Sequence, residues 1–229
     1  MTSPLSRWQQ LLQLLLLLLV GVAIMVLPPW IEPASTSVAF RCFALQQGGR
    51  HLLLLLLVLL LMRTSGEPLA AMGWQTLQWR QELRLGVLLF PAFYLALALL
   101  LLLLQLIGME VPAAGEVPTV QLLPNQRSDQ LLALLFLLLV AVTEELIFRG
   151  WLLYRLRTLL AGEWWPIMLS SLLFAAGHSY QGSIGVVTTA VIGIMLCRLV
   201  LWRRSLVAAM VIHFLQNFTT VLLLPRLLP

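Results

Sequence analysis

Long apolar stretches, joined by short polar segments, constrain this chain more than any other feature of its sequence. A transmembrane helix needs about 20 consecutive and largely apolar residues. Only 10% of the 229 residues are charged and 61% are hydrophobic, whereas soluble domains carry about a quarter charged residues. The apolar stretches and their short connections account for most of the chain, so we expect no separate soluble domain. We therefore predict an all-α, polytopic transmembrane bundle of about seven spans, over residues 9–27, 40–62, 85–107, 129–158, 164–181, 183–201 and 206–224.

The second of these stretches is the least regular. Only residues 52–62 are continuously apolar, and the segment "QQGGRH" (46–51) interrupts the pattern upstream. Two adjacent glycines and a charge are unfavourable in the middle of a membrane helix. This pattern predicts a broken or re-entrant segment.

A proline-rich segment divides the chain into two parts. Residues 110–126 contain three prolines, and proline removes a backbone donor that a helix interior needs. We predict an irregular loop here. It separates N-terminal spans with their connecting loops (1–127) from a C-terminal helical core (128–224).

The basic residues are all arginines, and they lie between apolar stretches instead of on one basic face. A net charge of +5 is therefore better explained by membrane topology than by a nucleic-acid partner. With the N-terminus in the cytoplasm, ten arginines fall on the cytoplasmic side and four on the other. Because cytoplasmic loops are enriched in positive residues, we expect a multi-pass integral membrane protein with a cytoplasmic N-terminus.

The segment "LVAVTEELIFRGW" (139–151) carries three formal charges inside an apolar stretch. Adjacent helical residues differ by about 100°, so Glu144 and Glu145 face different directions. Arg149 follows Glu145 by four residues, in the order that favours an ion pair. Glu144 is left without a local partner, and an intramembrane acid of this kind usually faces a cavity and marks function. The alternative is that the helix has already left the bilayer and that water solvates all three charges.

Two histidines, His178 and His213, are predicted to lie at about the same membrane depth as Glu144. A turn expected at 161–162 is nearly equidistant from Glu144 and His178, so a helical hairpin would bring the two side chains to the same level. Phe174 precedes His178 by one turn and could wall the same site. His213 and Asn217 share a face of the last stretch at i and i+4. Either histidine alone could be an ordinary packing residue with a satisfied hydrogen bond.

These residues belong to three motifs that follow one another along the chain: "EELIFR" (144–149), "FAAGH" (174–178) and "HFLQN" (213–217). They match EExxxR, FxxxH and HxxxN, and the chain resembles the CAAX-protease and bacteriocin-processing (CPBP/Abi) family of intramembrane glutamic endopeptidases. The resemblance covers roughly residues 128–224, which would be the catalytic helical core. It implies a protease without a nucleophilic side chain.

Each residue of the motifs can be given a role in peptide hydrolysis. Glu144 with His178 can hold and deprotonate a water molecule. His213 and Asn217 can donate hydrogen bonds to the tetrahedral oxyanion. The supporting residues are Glu145 and Arg149, which would orient the helix, and Phe174. We expect a peptide or membrane-protein substrate near the cytoplasmic face of the lipid bilayer, and no nucleic acid.

Two alternatives compete with a metal-free protease. Glu144, His178 and His213 could be three ligands of a catalytic zinc with water as the fourth. However, HExxH is absent and Asn217 is a poor zinc ligand, so we expect no metal and no cofactor. The second alternative is a non-catalytic family member that acts as an immunity factor or a membrane-protein assembly factor. A transporter is disfavoured because no inverted repeat is visible.

Overall fold

The computed structural model describes residues 5–27, 36–74, 78–110 and 127–224. All regular structure in these ranges is helical, which confirms the predicted all-α fold class. Most of the predicted loop at 110–126 lies outside the described residues. The helices are α1 (Arg7–Val26), α2 (Thr36–Ser65), α3 (Trp79–Leu106), α4 (Arg127–Glu145), α5 (Leu153–Leu159), α6 (Trp164–Ala176), α7 (Gly182–Arg203) and α8 (Val207–Phe218), with π-helical segments at Leu146–Leu152 and Thr219–Leu223.

Each of the seven predicted stretches is an apolar helical segment in the structure. Five of them are long and apolar enough to cross a membrane unaided: Arg7–Val26, Ala39–Ser65, Trp79–Leu106, Asp129–Leu159 and Ser179–Arg203. Two are shorter, Trp164–Ala176 and Val207–Leu223. The chain is an integral membrane protein, and "about seven spans" is an approximate description of these segments.

The predicted break in the second stretch was wrong. Helix α2 runs without interruption from Thr36 to Ser65, through both glycines of "QQGGRH". Glycine costs a helix about 1 kcal/mol relative to alanine, whereas an unpaired backbone group in hydrocarbon costs several kcal/mol. The continuous helix is therefore favoured. The polar side chains of this segment are accommodated by burial against other helices: Gln46, Arg50 and His51 are all buried.

Helix packing brings α2, α4 and α8 together. Helix α4 packs against both α2 and α8, α3 packs against α8, and α6 packs against α7. The main apolar core contains Trp151, Val58 and Leu196, each with no exposed surface. Since α4, the α6–α7 connection and α8 carry the three sequence motifs, this packing determines which of their side chains can meet.

Several arginines that entered the topology count lie inside the bundle instead of in loops. Arg149 and Arg155 are buried, and Arg155 donates to Glu67 Oε2 at 2.8 Å. Arg50 is also buried and donates to the backbone carbonyl of Leu27. A charge inside the membrane needs such partners because desolvation is costly. The cytoplasmic N-terminus stays a prediction.

Gly86 is required where α3 meets α8. A Cβ added at this position would lie 2.7 Å from Val211 Cβ and 2.9 Å from the Ala208 carbonyl oxygen. Because overpacking a tight contact costs about 1–3 kcal/mol, we expect Gly86→Ala to lower the thermal unfolding temperature in detergent micelles. Gly48→Ala is the matched control, since its nearest neighbour would be 3.9 Å away. Equal unfolding temperatures for the two variants would contradict the close α3–α8 contact.

Candidate active site

The acidic pair lies where α4 gives way to a π-helical segment. Glu144 and Glu145 are the last two residues of α4, and Arg149 lies within the segment Leu146–Leu152. Arg149 Nη1 donates to Glu145 Oε1 at 2.9 Å, and neither side chain has any exposed surface. The predicted ion pair is therefore present and buried. π-Helical insertions occur frequently at functional sites, where they redirect side chains.

His213 lies between the two carboxylates. Its Nδ1 is 2.7 Å from Glu145 Oε1, and its Nε2 is 3.6 Å from Glu144 Oε2. Since Arg149 is always charged, its partner Glu145 is ionised and can only accept a hydrogen bond. The hydrogen-bond partners thus assign a proton to His213 Nδ1. Its Nε2 is then the nitrogen that faces Glu144.

His178 lies just beyond the end of α6. Its Nδ1 is 2.9 Å from the Phe174 carbonyl oxygen, which can only accept, so this nitrogen also carries a proton. Nε2 is left with a lone pair when the ring is neutral. The Phe174 ring lies 4.7 Å from the His178 ring and 5.9 Å from the His213 ring. The Phe174 ring also contacts Arg149, whose guanidinium carbon lies 4.1 Å from the ring centroid.

The direct contacts of Glu144 include a residue that the sequence did not indicate. The sequence predicts that Glu144 and His178 lie at one depth and share a water molecule, and this stays a prediction. The direct contacts of the Glu144 carboxylate with ring nitrogens of the described residues are to His51 and His213. His51 Nε2 lies 3.3 Å from Glu144 Oε1. His178 Nδ1 is held by the Phe174 carbonyl of α6, and the packing of α2 against α4 places His51 beside Glu144. Equal depth in a hairpin does not determine which side chains touch.

Sequence reasoning missed His51. The residue lies in "QQGGRH", whose glycines predict a break in the helix, and a histidine beside a break is not assigned to a helix face. One signal could have identified it: the chain has three histidines, and intramembrane ionisable residues mark function by default. In the structure, His51 joins the other two histidines around the acidic pair.

Asn217 follows His213 by one turn of α8. Its side chain is half-buried and makes no hydrogen bond to any residue within the described ranges. The predicted pairing of His213 and Asn217 on one helix face follows from their spacing in α8. Their role as oxyanion donors stays a prediction.

The centre of the cluster holds polar atoms that the described protein does not satisfy. Glu144 Oε2 and Glu145 Oε2 are buried without a hydrogen-bond partner in the described ranges, as are Nε and Nη2 of Arg149. Buried polar atoms without partners are rare in protein interiors, and each one calls for an explanation. If the site receives a polar reactant at Glu144, that reactant would be the hydrogen-bond partner of Glu144 Oε2.

A metal centre was the alternative use of these residues. Among the described residues, no three His, Cys, Asp or Glu side chains have an arrangement that could hold a metal ion. The conclusion that the protein needs no cofactor stays a prediction, which chelation of the purified protein can test.

The motifs also have a counterpart among known families. Residues 126–219 match the family described as type II CAAX prenyl endopeptidase Rce1-like. No curated protein and no solved structure matches the chain. The matched segment runs from the start of α4 through α8, and it includes all three motifs but not His51. Residues 126–219 are therefore similar to the Rce1-like CAAX protease family.

Proposed function

We propose that this protein is an intramembrane endopeptidase that hydrolyses membrane-associated peptides or proteins near the cytoplasmic face, with a water molecule activated by Glu144. One observation carries the proposal: Glu144 Oε2 is a buried carboxylate oxygen without a hydrogen-bond partner in the described ranges, 3.6 Å from the Nε2 atom of His213. The similarity of residues 126–219 to the CAAX prenyl endopeptidase family supports peptide hydrolysis.

Glu144 acts as the general base in this mechanism. Its carboxylate takes one proton from a bound water molecule while the water oxygen attacks the scissile carbonyl carbon. The Nε2 lone pair of His178 can accept a hydrogen bond from the second O–H group of the same water molecule and so orient it. When the tetrahedral intermediate collapses, the C–N bond breaks and protonated Glu144 returns its proton to the leaving nitrogen. Atoms and charge balance without a covalent enzyme intermediate.

His213 and Asn217 stabilise the oxyanion. Asn217 donates through its amide nitrogen. His213 already carries a proton on Nδ1 toward Glu145, so it donates through Nε2 only as an imidazolium ion. The ionised Glu145 balances that charge and is itself held by Arg149. Removing one such donor costs about 2.7–4 kcal/mol of transition-state stabilisation in other hydrolases.

The substrate is best identified by the new termini that cleavage creates. We expect membrane-protein termini that appear in cells with the wild-type protein and are missing in cells with Glu144→Ala at equal abundance. The name of the matched family makes prenylated C-terminal peptides the first candidates to inspect. Identical sets of termini in the two strains would contradict the proposed function.

The same pair of strains tests the non-catalytic alternative. An immunity or assembly factor uses the polar cluster for helix packing or partner binding, so it does not need a base at position 144. Rescue of a deletion phenotype by the Glu144→Ala protein would favour that alternative, and failure to rescue at normal abundance supports hydrolysis.

A further inference from the structure

His51 contributes to the cluster from outside the family-matched segment. It lies on α2, in the N-terminal part of the chain, and its side chain is 10% exposed. Its Nε2 atom lies 3.3 Å from Glu144 Oε1, and the Phe136 ring packs edge-on against it with centroids 6.2 Å apart. The histidine is thus held between its own helix and α4.

Both ring nitrogens of His51 face groups that accept hydrogen bonds. Nδ1 lies 2.8 Å from the Gln47 carbonyl oxygen, which can only accept, so Nδ1 carries a proton. A hydrogen bond between Nε2 and Glu144 Oε1 then requires one further proton, located on either residue. When Glu144 is ionised, that proton is on His51, which becomes an imidazolium ion and donates to Oε1.

The two oxygens of Glu144 are therefore distinct. Oε1 is engaged by His51, whereas Oε2 is buried without a hydrogen-bond partner among the described residues. A carboxylate held at one oxygen cannot rotate freely about its terminal bond, and the other oxygen keeps a defined direction. A base must have such a direction because a misplacement of about 1 Å can cost about 10²-fold in rate.

We propose that His51 is a positioning residue for the catalytic base: its Nε2–H group holds Oε1 of Glu144 so that Oε2 faces the water molecule. This inference rests on the proposed function, since it assigns His51 a part in the same hydrolysis. It extends the active site beyond residues 126–219, to a helix that the family match does not include.

The test separates hydrogen bonding by His51 from mere packing. The probe is the peptide that spans the strongest wild-type-dependent cleavage site found in the comparison of termini, supplied to purified protein in vesicles. We expect His51→Leu to lower kcat about 10²-fold, the scale of a misplaced catalytic group, with KM within about twofold of wild type. His51→Gln keeps an N–H donor near the position of Nε2, so its kcat should stay within about tenfold of wild type.

A comparison of His51→Gln with His51→Asn, whose amide side chain is shorter, does not depend on whether His51→Leu folds correctly. His51→Asn is polar like His51→Gln but does not reach Glu144, so we expect it to lose about as much kcat as His51→Leu. Thr64→Val is the control on the same helix, because within the described part of the chain the Thr64 hydroxyl bonds backbone carbonyls of α2 alone. Its kcat should equal that of the wild type.

The outcomes distinguish this inference from the proposed function. If the wild type cleaves the probe, Glu144→Gln does not, and His51→Asn is as fast as wild type, His51 has no positioning role and only this inference is overturned. Equal losses in His51→Gln and His51→Asn, or a rise in KM without a fall in kcat, also overturn it. If the wild type fails to cleave the probe or Glu144→Gln cleaves it normally, the proposed function itself is overturned, and the inference about His51 with it.

Discussion

Replacing Glu144 by glutamine is expected to lower kcat for peptide cleavage by at least about 10³-fold, because an amide cannot accept the proton of the attacking water. Glutamine has nearly the same volume and can still contact His51 and His213, so the fold should be retained. Circular dichroism in detergent should give an unfolding temperature close to that of the wild type. The expected pattern is lost turnover in a folded, membrane-inserted protein.

Two further observations would sharpen this prediction. Glu144→Asp keeps a carboxylate but shortens its reach, so it should retain more activity than Glu144→Gln. Substrate binding should survive in Glu144→Gln, since the change removes a group that acts in the transition state. Wild-type turnover by Glu144→Gln would show that another group activates the water molecule.

Replacing Arg149 by methionine is expected to reduce the free energy of unfolding by about 3–5 kcal/mol, the cost of leaving one partner of a buried ion pair without compensation. Arg149 Nη1 is 2.9 Å from Glu145 Oε1, and both side chains are fully buried. The substitution also removes the guanidinium group from the ring of Phe174. Denaturant unfolding in micelles measures the loss.

The double variant Glu145→Gln, Arg149→Met is the control for the stranded charge. Because it removes both members of the pair, it should recover part of the stability that Arg149→Met loses. Activity should remain low in both variants, since Glu145 also holds His213 at 2.7 Å. If Arg149→Met is as stable as the wild type, Glu145 is not an ionised, buried partner.

The part of the site that could be predicted from sequence is the local part. The Glu145–Arg149 pair follows from an i, i+4 spacing on one helix, and the all-α fold follows from apolar stretches long enough to span a bilayer. Both depend on residues that are close in sequence. His213 and Asn217 share a face of α8 for the same reason.

The contacts between helices could not be predicted in the same way. Leucine is so abundant in α2 and α4 that hydrophobic periodicity does not show which faces pack together. The contact between His51 and Glu144 joins residues 93 positions apart, and the contact between His213 and Glu145 spans 68 positions. Each depends on helix packing that a depth comparison in one hairpin cannot supply. For that reason the sequence predicts that Glu144 and His178 share a water molecule, but it does not predict the direct contacts of Glu144 with His51 and His213.

The most direct test of the whole account is hydrolysis by purified protein in vesicles prepared in H₂¹⁸O. With the peptide found in the comparison of termini, the wild type is predicted to release two fragments, and the new C-terminal carboxylate should carry one ¹⁸O atom. Glu144→Gln in the same vesicles should release neither fragment. Intact peptide with folded wild-type protein, or equal fragment yields from both proteins, would contradict the claim that Glu144 activates water for peptide cleavage.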